Sequence, residues 1–122
     1  ALPIFASSCE VITVPEELQD AATALSGSGP AYFFAMVEAM ADAGTKLGMS
    51  EEDSMKAAKQ VLIGAAAMVE KSGLEPGTLR ENVTSPNGTT FAALKTFAEK
   101  DFSEVVYLAM KAARDRSIEL GK

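Results

Sequence analysis

Apolar side chains recur at helical spacing along most of the chain, and Gly, Pro and Ser cluster at the breaks between the runs. Pro15 suits the first turn of a helix, and the acidic residues that follow it favour the positive end of the helix dipole. The breaks divide the rest of the chain into further helices with very short connections. The predicted helices cover residues 15–25, 30–47, 50–72, 76–81, 91–100 and 101–120. The pattern predicts an all-α domain over residues 15–122, after a short extended segment at residues 1–14.

Several of these helices carry recognisable signals at their ends. Ser50 with Asp53 three residues later is a variant of the capping box, and it predicts the start of the third helix. Gly73 follows the last apolar position of that helix and is typical of a helix end. Asp101 with Glu104 is predicted to cap the last helix.

The second predicted helix is apolar on nearly every side. Between Ala31 and Ala43 its charged side chains are Glu38 and Asp42, and Lys46 extends the same narrow stripe at a spacing of four. An Asp42–Lys46 ion pair explains this stripe more simply than a catalytic pair of carboxylates does. The methionines at apolar positions are expected in the core: Met36, Met40, Met55, Met68 and Met110. Because one chain of 122 residues cannot readily bury such a helix on nearly all sides, we predict a homodimer.

Composition argues against several classes of function. The formal net charge is −6, and no cluster of Lys and Arg forms a phosphate-binding surface, which argues against nucleic acid and anionic membranes. With one cysteine, Cys9, and no histidine, the chain can form neither an internal disulfide nor an ordinary four-ligand zinc site. The longest apolar run, residues 31–37, is far shorter than the ~20 residues that cross a bilayer. We expect a cytoplasmic protein without a bound metal, a membrane segment or a secretion signal.

Residues 26–30, SGSGP, share only part of the pattern of a phosphate-binding glycine loop. A dinucleotide fingerprint follows a strand and needs a third glycine where this chain has Tyr32, whereas the preceding segment is predicted to be helical. The Gly-Lys-Ser/Thr end of a Walker loop is also missing. The spacing favours a structural turn between two helices over a ligand loop.

Residues 82–90, NVTSPNGTT, place hydroxyl side chains and an Asn-Gly pair directly before the helix predicted at residues 91–100. Asn and Gly tolerate left-handed backbone, and the N–H groups at a helix N-terminus point outward, so the loop could cradle a carboxylate or a phosphate. One hydroxyl, however, is enough for ordinary N-capping. The residues alone leave both interpretations open.

Four blocks of the sequence are distinctive when they are taken in order: residues 20–44, DAATALSGSGPAYFFAMVEAMADAG; 64–73, GAAAMVEKSG; 81–94, ENVTSPNGTTFAAL; and 112–120, AARDRSIEL. Together they resemble the C-terminal domain of pyrroline-5-carboxylate reductases, which reduce 1-pyrroline-5-carboxylate to L-proline with NADPH or NADH in proline biosynthesis. The resemblance implies a helical dimerisation domain with interlocked helices. It also implies an N-terminal Rossmann domain that is absent here, so residues 1–14 would be left from the interdomain connection.

The resemblance further implies roles for individual residues. The loop would hold the substrate carboxylate on backbone N–H groups, and Thr90 would be the catalytic residue, its hydroxyl facing the ring nitrogen. Glu16 matches an acidic residue contributed to the substrate pocket across the dimer. The full substrate-binding set would be Glu16, Ser85, Gly88, Thr89 and Thr90, and the cofactor-binding set Asn82, Thr23 and Pro30. Asn87 departs from the family, which usually has glycine there, and its side chain could alter the affinity for the carboxylate.

Two functional hypotheses follow. The first is that the chain is the C-terminal part of a pyrroline-5-carboxylate reductase, dimeric and inactive on its own, in an enzyme whose dimers could build larger rings. The second is a non-catalytic helical dimer or imino-acid-binding module that kept the fold without the reaction. The agreement between the loop chemistry and the four blocks favours the enzyme, while the choice between NADPH and NADH would lie in the absent domain.

Overall fold

The computed structural model of the chain describes residues 2–5 and 11–121. Its first elements are two short antiparallel strands, β1 (Leu2–Phe5) and β2 (Val11–Val14). The extended segment predicted over residues 1–14 is therefore a strand pair in its described part. The paired residues are Leu2 with Val14, Pro3 with Thr13, Ile4 with Ile12 and Phe5 with Val11.

The regular structure described after β2 is helical, and the all-α class is confirmed. The helical elements are the 3₁₀ turn Glu16–Leu18, α1 (Gln19–Ala22), the π turn Thr23–Gly27, α2 (Gly29–Lys46), α3 (Glu51–Lys71), α4 (Pro76–Asn82), α5 (Thr89–Glu99) and α6 (Phe102–Leu120). The single helix predicted at residues 15–25 is divided into the 3₁₀ turn, α1 and the π turn, and the outer bounds of the six predicted helices lie within two residues of the observed ones. Local signals such as caps, glycines and prolines thus fixed the order and length of the helices.

Two of the predicted helix ends are built as expected, and one is not. Ser50 Oγ accepts a hydrogen bond from the Asp53 N–H at 3.1 Å and caps α3. Gly73 follows the end of α3 with a φ of +72°, a conformation that glycine adopts freely. The predicted cap at Asp101 is wrong, because its side chain makes no capping hydrogen bond. The backbone of Asp101 instead adopts the left-handed conformation, with a φ of +58°.

The chain divides into two compact units. The first contains Ala1–Tyr32 and Asp101–Lys122, and the second contains Phe33–Lys100. In the first unit α1 and the π turn pack against α6, and the Ser117 hydroxyl donates to the Asp20 carboxylate at 2.7 Å. This hydrogen bond joins residues 97 positions apart, so it ties the beginning of the unit to its end.

The second unit has a small core between α2 and α3. Val37 and Ala41 of α2 cluster with Ala58 of α3, and the half-buried Met55 and Leu62 pack against them. Among residues 12–121, for which burial is described, the buried apolar side chains are alanine or valine. Small side chains let these helices approach closely, but they remove little apolar area from water.

The larger apolar side chains of α2 point to the surface of the single chain. Phe33 is 60 % exposed and Phe34 is 63 % exposed. The expected core positions of Met40 and Met68 are wrong for one chain, since 42 % and 54 % of their surfaces are exposed. Neither side chain belongs to the cluster that Val37, Ala41 and Ala58 form between α2 and α3. The remaining methionines of the predicted core set, Met36, Met55 and Met110, are half-buried.

The predicted ion pair on α2 is confirmed. Lys46 Nζ lies 2.9 Å from the Asp42 carboxylate, and both side chains are largely exposed. An exposed pair at this spacing contributes little to stability, so the stripe serves mainly to keep one side of α2 in water.

The close approach of α2 and α3 predicts a strong effect of one added methyl group. A Cβ at Gly44 would lie 2.8 Å from the Oγ of the buried Ser54, so we expect Gly44→Ala to lower the free energy of unfolding by about 1–3 kcal/mol. Urea denaturation at one fixed protein concentration measures this change. Gly77→Ala is the control, because a Cβ there would meet only the end of the Arg80 side chain, at 3.9 Å. Adding Ser54→Ala to Gly44→Ala should restore part of the loss, and equal stability of Gly44→Ala and the wild type would contradict the packing argument.

Candidate functional site

The candidate site is the loop between α4 and α5, which lies within the second unit. Helix α4 ends at Asn82, and the Thr84 hydroxyl donates to the Arg80 carbonyl oxygen at 2.6 Å. A tight turn follows, closed by a hydrogen bond from the Gly88 N–H to the Ser85 carbonyl oxygen at 3.0 Å. The loop therefore leaves one helix and enters the next within six residues, 83–88.

The two central residues of this turn explain its shape. Pro86 occupies the second position, where its fixed φ is favourable, and Asn87 occupies the third with a φ of +58°. A positive φ at the third position is typical of type II turns and is easier for asparagine than for most residues. Asn87 therefore takes the left-handed conformation that its sequence predicts.

The sequence indicated that Gly88 is needed for left-handed backbone, but in the structure it is needed because Ser85 lies close to it. Its φ of −86° and ψ of −170° are extended, so the left-handed backbone expected of the Asn-Gly pair is confined to Asn87. A Cβ at Gly88, however, would lie 2.5 Å from Ser85 Oγ and 3.3 Å from the Ser85 carbonyl oxygen. The Ser85 side chain thus packs where any larger residue at position 88 would place its Cβ.

Helix α5 begins without a side-chain cap. Its N-cap residue is Gly88, which has no side chain to offer, and the Gly88 carbonyl oxygen accepts the first helical hydrogen bond from the Ala92 N–H at 3.1 Å. The N–H groups of Thr89, Thr90 and Phe91 precede this bond and have no acceptor within the helix. Among the described residues no side chain caps them. The hydroxyls of the loop therefore do not act as ordinary N-caps of α5, which was the simpler interpretation.

The hydroxyl groups beside these N–H groups are also free to bind. Within the described part of the chain, the side chains of Ser85, Thr89 and Thr90 make no hydrogen bond to another residue. Ser85 and Thr89 are exposed and Thr90 is half-buried. Backbone N–H groups at the positive end of a helix, together with hydroxyl donors, suit a carboxylate or another small anion.

The remaining predicted site residues are divided between the two units. Asn82 is exposed at the end of α4, in the same unit as the loop. Glu16, Thr23 and Pro30 lie in the first unit and are exposed. Glu16 begins the 3₁₀ turn, Thr23 begins the π turn, and Pro30 is in the first turn of α2. The sequence analysis missed the π turn, for which the local signal is the Ser-Gly-Ser-Gly run that begins within it, at Ser26.

The titratable groups with shifted pKa values lie elsewhere, on α6. The hydrogen bond between Arg114 and Asp115 raises the pKa of the guanidinium and lowers the pKa of the carboxyl group. Asp115 also pairs with Lys111, and Arg116 pairs with Glu119 at 2.8 Å. These ion pairs join side chains of the same helix that are half-buried or exposed.

No metal centre is found among residues 2–5 and 11–121, where no three His, Cys, Asp or Glu side chains are grouped to hold an ion. Cys9 lies outside this part of the chain. The described helices also include none that is long and apolar enough to span a bilayer. What the site offers is a set of hydrogen-bond donors.

The fold and the loop define a helical domain in which the N-terminus of α5 is uncapped and flanked by hydroxyl side chains. The protein family described as "Pyrroline-5-carboxylate reductase dimerisation" matches residues 16–120. The chain belongs to this family.

Known relatives agree with this assignment. The chain is 52 % identical to the pyrroline-5-carboxylate reductase of Pseudomonas aeruginosa over 103 residues, which cover 84 % of this chain and 38 % of that protein. It is 43 % identical to the reductase of Methanosarcina acetivorans over 122 residues, 100 % of this chain and 45 % of that protein. The Arabidopsis thaliana reductase is 41 % identical over 119 residues, 98 % of this chain and 43 % of that protein. The chain spans less than half the length of each of these relatives.

Solved structures share the fold. The pyrroline carboxylate reductase of Plasmodium falciparum, crystallised with NADP bound, superposes with a TM-score of 0.84 at 37 % identity, over 94 % of this chain and 47 % of that one. The pyrroline-5-carboxylate reductase of Coxiella burnetii gives a TM-score of 0.85 at 37 % identity, over 90 % of this chain and 41 % of that one.

The geometry of the turn predicts opposite sensitivities at its neighbouring positions 87 and 88. Asn87→Gly should change the free energy of unfolding by less than about 1 kcal/mol, because both residues accept a positive φ. Gly88→Ala should lower the free energy of unfolding by about 1–3 kcal/mol, because the new Cβ would clash with Ser85. Urea denaturation of the two variants at equal concentration makes the comparison. A Gly88→Ala protein as stable as Asn87→Gly would show that Ser85 does not occupy this space.

Proposed function

We propose that the chain is the C-terminal, substrate-holding part of a pyrroline-5-carboxylate reductase, which reduces 1-pyrroline-5-carboxylate to L-proline with NADPH or NADH in the last step of proline biosynthesis. The observation that carries the proposal is the uncapped N-terminus of α5, flanked by unbonded hydroxyls, in a chain of this family. A cytoplasmic location is part of the same proposal, in keeping with the acidic composition and single cysteine.

In this proposal the loop holds the substrate by its carboxylate. The N–H groups of Thr89, Thr90 and Phe91 point out of the first turn of α5, and the Ser85 hydroxyl lies beside Gly88 at the same end of the loop. Hydrogen bonds from such donors to a carboxylate are charge-assisted and each contribute about 1.5–3 kcal/mol. Two or three of them fix the orientation of a five-membered ring as well as its position.

Orientation is the main contribution that these residues make to the reaction. Hydride addition to a C=N bond is easiest when the nitrogen is protonated, and the Thr90 hydroxyl would face that nitrogen. NADPH or NADH supplies the hydride when bound. Holding the ring in a reactive position, with the carboxylate fixed at its other end, lowers the entropic part of the activation barrier. Such a site needs no histidine, and the chain has none.

The residues present fit the nicotinamide end of such a cofactor and not its phosphates. The Asn82 and Thr23 side chains are exposed and make no hydrogen bond within the described ranges, so both are free to bind a polar group. Among residues 2–5 and 11–121, no glycine-rich loop leads from a strand into a helix, as dinucleotide phosphates require. We therefore place the phosphates in an N-terminal Rossmann domain of the full-length protein. Pro30 would line the nicotinamide end, and Glu16 would join the substrate pocket of the partner subunit.

The catalytic role of Thr90 can be tested in the full-length protein that carries this chain. We expect Thr90→Ala to lower kcat/KM for 1-pyrroline-5-carboxylate by about ten- to a hundredfold, which corresponds to about 1.4–2.7 kcal/mol of lost transition-state stabilisation. Thr96→Ala is the matched control on the same helix, because its hydroxyl only donates to the Ala92 carbonyl oxygen, at 3.2 Å. Steady-state kinetics monitored by cofactor absorbance measures both variants, and an unchanged Thr90→Ala would remove Thr90 from the mechanism.

The same assay separates the enzyme from a binding module. The full-length protein should oxidise the cofactor in the presence of the imine, whereas residues 1–122 alone should not, because no phosphate-binding glycine loop is found in the described ranges 2–5 and 11–121. Calorimetry with L-proline then asks whether binding depends on the loop, by comparing wild type with a Ser85→Ala/Thr90→Ala double variant. Loop-dependent binding without turnover by the full-length protein would favour the non-catalytic alternative.

We also propose that two copies of the chain form a homodimer through the exposed apolar faces of α2 and α3. The support is the family's dimerisation character and the exposure of large side chains such as Phe34. A groove of about 410 Å³ lies between these helices in the second unit. Its apolar lining consists of Phe34, Val37, Met55, Leu62 and Ile63. A helix of a second copy would bury this groove.

Light scattering after size-exclusion chromatography at micromolar concentration tests the dimer. The chain should elute with twice its own mass, or with a larger even multiple if dimers build rings. Phe34→Asp should shift it towards the monomer, because a carboxylate in the groove would have to be desolvated. Leu47→Asp, at a residue that is 87 % exposed and outside the groove, is the control and should leave the mass unchanged. A wild-type monomer at these concentrations would refute the dimer.

A further inference from the structure

The π turn at Thr23–Gly27 leaves one carbonyl group without its usual partner. In an α-helix the Ser28 N–H would donate to the Ala24 carbonyl oxygen, four residues back. Here the Ser28 N–H donates to the Thr23 carbonyl oxygen at 2.9 Å, which is the π-type spacing of five. The Ala24 carbonyl oxygen is thereby released from the helical pattern.

A side chain from the next helix takes up this released carbonyl. The Tyr32 hydroxyl, on α2, donates a short hydrogen bond to the Ala24 carbonyl oxygen. Ala24 is only 2 % exposed, so water has little access to that oxygen. A buried carbonyl without a donor is costly, and the Tyr32 hydroxyl is therefore what makes the π turn stable at this position. Both residues belong to the first unit.

The hydrogen bond has a consequence for the direction of the helix before it. Without the Tyr32 hydroxyl, the Ala24 carbonyl oxygen could regain a donor by converting the π turn to an ordinary α turn. That conversion removes one residue from the turn and rotates the preceding backbone by about 100°, the angle between successive helical residues. Thr23, at the start of the turn, would then point in another direction.

The preceding helix is anchored from a second side. The Ser117 hydroxyl of α6 holds the Asp20 carboxylate at 2.7 Å, three residues before Thr23. Thr23 thus lies between two fixed points, the Asp20–Ser117 hydrogen bond and the Tyr32–Ala24 hydrogen bond. Thr23 is exposed and so is not held by packing of its own side chain. Its direction is set by the backbone, which the two hydrogen bonds fix on either side.

We propose that Tyr32 is a positioning residue for the nicotinamide cofactor, acting through the π turn that directs Thr23. This inference rests on the proposed function, in which Thr23 faces the nicotinamide. π turns of this kind are frequent at functional sites, where the extra residue redirects a side chain. Tyr32 touches neither substrate nor cofactor in this account. The Tyr32 hydroxyl instead fixes the backbone that directs Thr23, and Thr23 is the residue proposed to contact the cofactor.

The test is Tyr32→Phe in the full-length protein, which keeps the aromatic ring and removes only the hydroxyl. We expect the KM for NADPH or NADH to rise about five- to tenfold while the KM for the imine stays within about twofold of wild type. Tyr107→Phe is the matched control, because Tyr107 is 58 % exposed on α6 and its hydroxyl makes no hydrogen bond within the described chain. This control should change neither KM by more than about twofold.

A second comparison shows whether Tyr32 acts through Thr23. Thr23→Ala alone should also raise the cofactor KM, and adding Tyr32→Phe to it should have less than about a twofold further effect, since residues acting as a unit are not additive. A Tyr32→Phe protein that melts at a lower temperature but keeps the wild-type cofactor KM would overturn the inference and leave Tyr32 a purely structural role. Full additivity with Thr23→Ala would overturn it as well. Absence of turnover in the wild-type full-length protein would instead refute the proposed function and, with it, this inference.

Discussion

The first turn of helix α5 has backbone N–H groups without acceptors, and the loop before it is arranged around that condition. The usual remedy is a side-chain cap, but the N-cap position holds Gly88, which cannot provide one. Gly88 cannot readily be exchanged for a capping residue either, because Ser85 packs where its Cβ would lie. A ligand that binds at the start of α5 would therefore supply the acceptor that these N–H groups lack. In a chain with a net charge of −6, the start of α5 is thus a local region of positive potential, which is the basis of the proposed binding of a carboxylate.

Helices α2 and α3, in the same unit as the loop, bury small side chains and expose large ones. Val37, Ala41 and Ala58 form the core of the second unit, while Phe33 and Phe34 remain largely in water. This inverts the ordinary distribution of a monomeric domain, in which the largest apolar side chains contribute most to the core. This arrangement would suit the binding of a second copy. Small side chains allow close contact between helices of one chain, and the large side chains stay available for contact between chains.

The order and the ends of the helices could be predicted because their causes are local. Ser50 caps the residue three positions ahead of it, and Gly73 needs only its own freedom to adopt a positive φ. The predictions that failed concern a helix cap and two core positions, whose roles depend on more than the local sequence. Asp101 looks like a cap in sequence, but its backbone is left-handed and its side chain makes no capping hydrogen bond. Met40 and Met68 have the periodicity of core residues, yet no other helix of the same chain covers them fully.

The sequence by itself determined the helical class, the family and the residue types of the loop, since each depends on short-range spacing and on side-chain chemistry. The tertiary structure decided what those residues do: Ser85 packs on Gly88, the hydroxyls leave the start of α5 uncapped, and the Tyr32 hydroxyl reaches the Ala24 carbonyl oxygen. The physical reason is that a hydrogen bond depends on distances of a few tenths of an ångström, and packing between helices sets those distances. Spacing along the chain can place a donor near an acceptor, but only the folded chain determines whether they meet.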